Sequence, residues 1–174
     1  MIEATVLNTL LLSAVVIIAV IVFNHRYRKA VANYQAPLNS KSIVALLQRN
    51  GLLSSVVGPW IVFDYQGKEY TINASKLPIL VVIKQTSLKE HQHNTTDLQE
   101  VAQSVSLDTA MAIIHIDGNP ANRAIIQLNA IETCLGSFAQ RLNIYLDIIE
   151  ETETRFFDEI RRKKNQQLTG YLCQ

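Results

Sequence analysis

The stretch WIVFDYQGKEYTINA, residues 60–74, decides the fold. Aromatic and β-branched residues crowd both sides of Gln66-Gly67, and a tight turn between two such runs predicts a β-hairpin. Working outward, Leu77-Pro78 breaks the chain, and the continuous apolar run ILVVIKQ (79–85) predicts a third, well-buried strand. Upstream, SKSIVALLQRNGLL (40–53) places Ile43, Leu46 and Leu47 on one helical face. Asn39 or Ser40 is positioned to cap that helix and Gly51 to end it.

Downstream, the polar stretch SLKEHQHNTT (87–96) predicts a loop. Thr96 or Asp97 then opens a helix, LQEVAQSVSLDT, with Leu98, Val101, Ala102, Val105 and Leu107 on its apolar side. AMAIIHID and AIIQLNAIE predict two more strands, joined across Asp117-Gly118-Asn119-Pro120. From Ser137 to about Asn165, Phe138, Leu142, Tyr145, Leu146, Ile149, Phe156 and Ile160 recur at helical spacing. The expected core contains Trp60, Phe63, Ile72, Val81, Ile113, Ile126, Phe138 and Leu142.

The order is therefore α-β-β-β-α-β-β-α, an α+β arrangement. Over about residues 40–160 it resembles the type III secretion chaperone-like fold, including the YbjN-like bacterial proteins. The resemblance rests on element order and the closing amphipathic helix, not on a short motif. It implies an antiparallel sheet with helices over one face, binding of protein partners, and a homodimer. It does not imply an enzyme. The chain departs from secretion chaperones in its near-neutral charge and its apolar beginning.

That beginning, ATVLNTLLLSAVVIIAVIVF from Ala4 to Phe23, contains no charged residue. Twenty residues at helical rise span roughly 30 Å, the hydrocarbon thickness of a bilayer. A cleaved signal peptide wants positive charge before the apolar run, whereas here Glu3 precedes it and the basic residues follow. Arg26, Arg28 and Lys29 flank the run on its C-terminal side, which predicts an N-terminus-out, single-pass segment in the inner (cytoplasmic) membrane. The expected organisation is an anchor in the lipid bilayer with its basic flank (1–29), a tether (30–39), a cytoplasmic α+β domain (40–168) and a tail (169–174).

The chemistry expected of the chain is sparse. A formal net charge of +1 over 174 residues argues against nucleic-acid binding through broad electrostatics. Cys134 and Cys173 are too few for a disulfide framework, and Cys134 reads as a small buried hydrophobe. His91 and His93 could supply two metal ligands, but no third lies at suitable spacing, so a solvated loop is the expectation. His115, between Ile114 and Ile116, falls on the opposite sheet face from them.

Phosphate loops, nucleophile elbows and zinc-binding His-Glu-x-x-His helices are missing from the sequence. Asp147, Glu150, Glu151 and Glu153 read as a solvated helix face, and Arg161, Arg162, Lys163 and Lys164 suit the dipole at a helix end. No catalytic residue, metal or cofactor is expected. Phe156-Phe157, adjacent aromatics amid charge, are the candidate partner-binding residues; the alternative places both at the edge of a wide apolar stripe. The leading expectation is a membrane-anchored, non-catalytic module that binds a protein partner or itself. The rivals are an enzyme or ligand-binding domain with a scattered site, and an envelope protein released by signal cleavage.

Overall fold

The computed structural model describes residues 2–89, 95–109, 111–118 and 122–172, with side chains for 15–29, 31–32, 35–89, 96–109, 111–118 and 122–166. Its elements are α1 (Ile2–Tyr34), α2 (Ser40–Arg49), β1 (Ser54–Val57), β2 (Trp60–Tyr65), β3 (Lys68–Lys76), β4 (Ile79–Ser87), α3 (Thr95–Asp108), β5 (Ala112–Asp117), β6 (Arg123–Ile131) and α4 (Leu135–Leu172).

The 60–74 hairpin forms as the sequence predicts. Gln66 and Gly67 both take positive φ (55° and 73°), the two-residue turn whose twist matches paired strands. The Gly67 amide also donates to Asp64 Oδ1 at 3.0 Å. Asn39 closes α2 reciprocally: its side chain accepts from the Ser42 amide, and Ser42 Oγ accepts from the Asn39 amide, both at 2.9 Å. The strands form one antiparallel sheet in the order β1-β2-β3-β4-β6-β5.

Helices α2, α3 and α4 cover one sheet face, and the core lies between the layers. It holds Ile43 and Leu47 of α2, Leu98 and Val101 of α3, and Phe138, Leu146 and Phe156 of α4. These meet Ile61, Phe63, Ile72, Leu80, Val82, Ile114 and Ile126 of the sheet. Of the expected core, Phe63, Ile72, Ile126, Phe138 and Leu142 are buried, whereas Trp60 and Val81 are half-buried and Ile113 is exposed.

Two expectations about the architecture are corrected. The sheet has a further strand, β1, which hairpins onto β2 with Gly58 at φ 61° in the turn. More consequentially, no helix among the described residues is long and apolar enough to cross a membrane. Helix α1 does not stop at its basic residues but continues through Arg26, Arg28 and Lys29 to Tyr34, into the predicted tether. The single-pass anchor in the bilayer, the N-terminus-out orientation and the inner-membrane location are overturned on this ground. Arg26, Arg28 and Lys29 lie exposed within one continuous helix rather than flanking a span. The α1 end meets the domain directly, since the Leu135 amide donates to the Ala36 carbonyl at 3.0 Å.

Candidate functional site

The most concentrated chemistry lies under α4. Lys84 of β4 belongs to the inward-facing series of Leu80 and Val82, and its side chain is only 5% exposed. An ammonium taken from water must find counter-charge. Lys84 Nζ lies 2.6 Å from Glu150 Oε1 and 2.5 Å from Glu153 Oε2, both on α4. Tyr70 donates its hydroxyl hydrogen bond to Glu150, Thr86 donates to Glu153, and Lys68 pairs with Glu150 from the rim. The two ammoniums balance the two carboxylates, and each oxygen of the pair has a donor. Such a cluster holds a helix at one position on a sheet and leaves no free base for proton transfer.

Its electrostatics agree. Burial, the largest single influence on Glu150, raises its pKa, but the hydrogen bonds from Lys68, Lys84 and Tyr70 together outweigh it and hold the carboxyl at about 2. Burial and the Glu150 contact push the Tyr70 phenol far above its ordinary value. Because the Glu150 pKa falls on folding, its contribution is complete above about pH 4.5 and is lost as pH drops toward 2. The gap in thermal midpoint between the native chain and Glu150→Gln is therefore expected to shrink across that interval. A gap of constant size from pH 6 to pH 2.5 would sink this account.

A second buried carboxylate, Glu132, accepts from the Ser137 and Tyr145 hydroxyls, with Arg141 Nη1 3.7 Å away. It braces the first turns of α4. Cys134 caps that helix: its carbonyl accepts from the Phe138 amide, and its half-exposed thiol lies 3.6 Å from Ser137 Oγ. The Ser137 backbone hydrogen bond holds the thiol below its ordinary pKa. Cys134 is thus a helix cap, not the buried hydrophobe expected. A groove of about 360 Å³ between α3 and α4 is lined by Ser104, Asp108, Arg155, Asp158, Glu159 and Arg162. Its arginines are already engaged, Arg155 by Glu151 at 2.6 Å and Arg162 by Glu159 at 2.8 Å.

Among the described residues, no helix covers the other sheet face. It presents Trp60, Val62, Val81, Ile83 and Ile125 half-buried and Ile113 43% exposed, with Thr71, Asn73, Gln127 and Asn129 between them. Asp64 and Glu69 on β2 and β3 and Arg123 and Asp117 on β6 and β5 stand toward one end, and Lys76, the partner of Ile79, stands toward the other. A flat, largely apolar surface with a charged border has the make-up of a contact surface.

The expected sites are placed as follows. Phe156 is fully buried and Phe157 is packed half-buried against the core, ring centroids 5.5 Å apart. That is the wide-stripe alternative and leaves Phe156 no surface to offer a partner. His115 is exposed on the open face, on the opposite side from Ile114. His91 and His93 lie outside the described residues. Among the described residues no group of three His, Cys, Asp or Glu side chains is placed to hold a metal. Sequence reasoning missed the inward turn of Lys84, Glu150 and Glu153. The one available signal was a lysine at the third inward position of a buried apolar run.

This arrangement, a six-stranded antiparallel sheet with helices on one face, is a YbjN-like fold. The chain is similar to the crystal structure of YbjN from E. coli, a proposed transcription regulator, with TM-score 0.56 and 6% identity. That match covers 75% of this chain and 96% of the other. It is also similar to an uncharacterised protein from Methanothermobacter thermautotrophicus, with TM-score 0.53 and 16% identity, covering 72% of this chain and 99% of that one. The resemblance expected from element order is thereby borne out at the level of fold. No protein-family model and no curated protein matches the sequence.

Proposed function

We propose that the protein is a non-catalytic protein-interaction module whose working surface is the open face of its sheet. The observation that carries this is the uncovered set Trp60, Val62, Val81, Ile83, Ile113 and Ile125. Uncovered apolar side chains in a contiguous field favour association with another protein surface. The main ionisable cluster, by contrast, is spent on itself: Lys84, Glu150, Glu153 and Tyr70 satisfy one another beneath α4. That arrangement supports an interaction role over an enzymatic one, because acid-base chemistry needs a group with an open partner position.

The test is photo-crosslinking of the full-length chain in cells. A photoreactive residue at Val81, on the open face, is expected to give light-dependent protein adducts. The same residue at Leu107, 78% exposed on α3, serves as the comparison. Adducts from Leu107 but none from Val81 would remove the open face from consideration.

A further inference from the structure

A recess of about 380 Å³ opens where β4 ends beside the start of β6. Gln85, Thr86, Ser87, Lys89, Asn122 and Arg123 line it. The sheet fixes its walls. Ser87 and Arg123 are cross-strand partners, and the Leu88 amide donates to the Asn122 carbonyl at 2.8 Å.

Hydrogen-bond donors converge on this space. Lys89 is exposed and makes no ion pair among the described residues. The Ser87 hydroxyl accepts from the Lys89 amide at 3.4 Å, which leaves its own proton to give. Asn122 adds a carboxamide from the other wall. The Thr86 hydroxyl is not among these donors, since it goes to Glu153.

Arg123 is aimed by a neutral partner: its Nη1 donates to Gln85 Oε1 at 3.3 Å. Asp117, its cross-strand partner on β5, stands 3.6 Å from Nη2, too far for a hydrogen bond. The arginines of α4 differ, Arg155 being held by Glu151 at 2.6 Å and Arg162 by Glu159 at 2.8 Å. Arg123 thus keeps most of its N–H donors unspent beside a second cation.

Two cations, a hydroxyl and a carboxamide around one concavity match the acceptors of an oxyanion. The fork of a single arginine satisfies a planar carboxylate. Here the donors come from the end of β4, the turn after it and the start of β6, and separated sources suit the three oxygens of a phosphate group. The volume lies within the range of small-molecule sites and exceeds what a bare phosphate fills. Beyond Gln85 the face turns apolar at Ile125, its cross-strand partner, which offers a wall to a substituent.

We infer that this recess binds the phosphate group of a small phosphate monoester. Arg123 and Lys89 meet the charge, and Ser87 and Asn122 take the remaining oxygen positions. Asp117 is the opposing group. It competes for the Arg123 guanidinium and holds the affinity down. The site is separate from the contact surface proposed above, and either can fail without the other.

The experiment titrates the full-length, ¹⁵N-labelled chain with phenyl phosphate at constant ionic strength, with chloride as the balancing anion. Saturable shifts are expected at the Ser87, Lys89 and Arg123 amides. Arg123→Gln and Lys89→Gln are each expected to weaken binding more than about fivefold, as charge-assisted contacts are lost. Asp117→Asn is expected to tighten it, which a merely structural role would not do. Lys41→Gln, an exposed lysine on α2, is expected to leave it unchanged. Arg123 and Asp117 are 54% and 52% exposed, so these variants keep the fold, and unchanged core amide shifts verify it.

Shifts that never saturate overturn the proposal, and so does a loss on Lys41→Gln equal to that on Lys89→Gln. Benzoate binding more tightly than phenyl phosphate would make the recess a carboxylate site and overturn the phosphate assignment. Inorganic phosphate binding more tightly than phenyl phosphate would overturn the monoester.

Discussion

Replacing Lys84 with methionine is expected to cost about 3–5 kcal/mol of folding stability, the range for breaking one side of a buried ion pair. The substitution keeps the stem that packs beside Leu80 and Val82 but removes the charge between Glu150 and Glu153. Two carboxylates would then face each other beneath α4. Only Lys68, 46% exposed at the rim, and the Tyr70 and Thr86 hydroxyls would remain to satisfy them. Chemical denaturation measures the loss. Combining Lys84→Met with Glu150→Gln and Glu153→Gln is expected to recover most of it, because the penalty comes from uncompensated charge rather than lost packing. A single-variant loss below about 1 kcal/mol would place the cluster at a wetter, weaker position than argued.

Phe156→Ala is expected to cost about 3–5 kcal/mol, as for other fully buried aromatic truncations. Phe156 is 0% exposed and continues the buried line of Ile149 and Thr152 toward Ile160 along α4. Phe157 sits at the margin of the same stripe, and Phe157→Ala should cost less than half as much. The contrast matters because the two residues look equivalent in sequence. What separates them is the packing of α3 against α4, which widens the buried stripe enough to take one ring whole and the other in part. Equal losses from the two substitutions would contradict this geometry.

The same contrast marks where sequence stops being informative. The 60–74 hairpin was legible because alternation and turn chemistry are both local. The phase of β4 and β5 was not. ILVVI and AIIHI are apolar at consecutive positions, so alternation does not say which face is inward. A polar Lys84 makes the series Leu80-Val82-Lys84 look like the outer one, and Val81 and Ile113 were expected in the core instead. The structure turns that series inward because counter-charges arrive from α4, far along the chain. Strand β1 escaped notice because Ser54–Val57 is four residues long, too short to show a period. At α1 an uncharged run was weighed as a span, whereas the helix carries straight on through its basic residues to Tyr34. The open face was implied by a sheet with helices on one side, but which side chains it gathers is decided only once six strands are in register.

The strand order also shapes how the chain can reach this structure. Every neighbouring pair in β1-β2-β3-β4-β6-β5 is a hairpin except β4 and β6. Four strands can zip as a meander, and β5 with β6 as a separate hairpin, each closing only a short loop. Joining them brings Val82 to Leu128 and Lys84 to Ile126, with α3 and β5 looped out between, so the chain entropy of the fold is concentrated on one seam. Lys84 lies on that seam, and its carboxylate partners come from the last helix to be made. Its ammonium therefore loses water only after the meander, the hairpin and α4 have met, which ties the final docking of the helix to the zipping of the sheet.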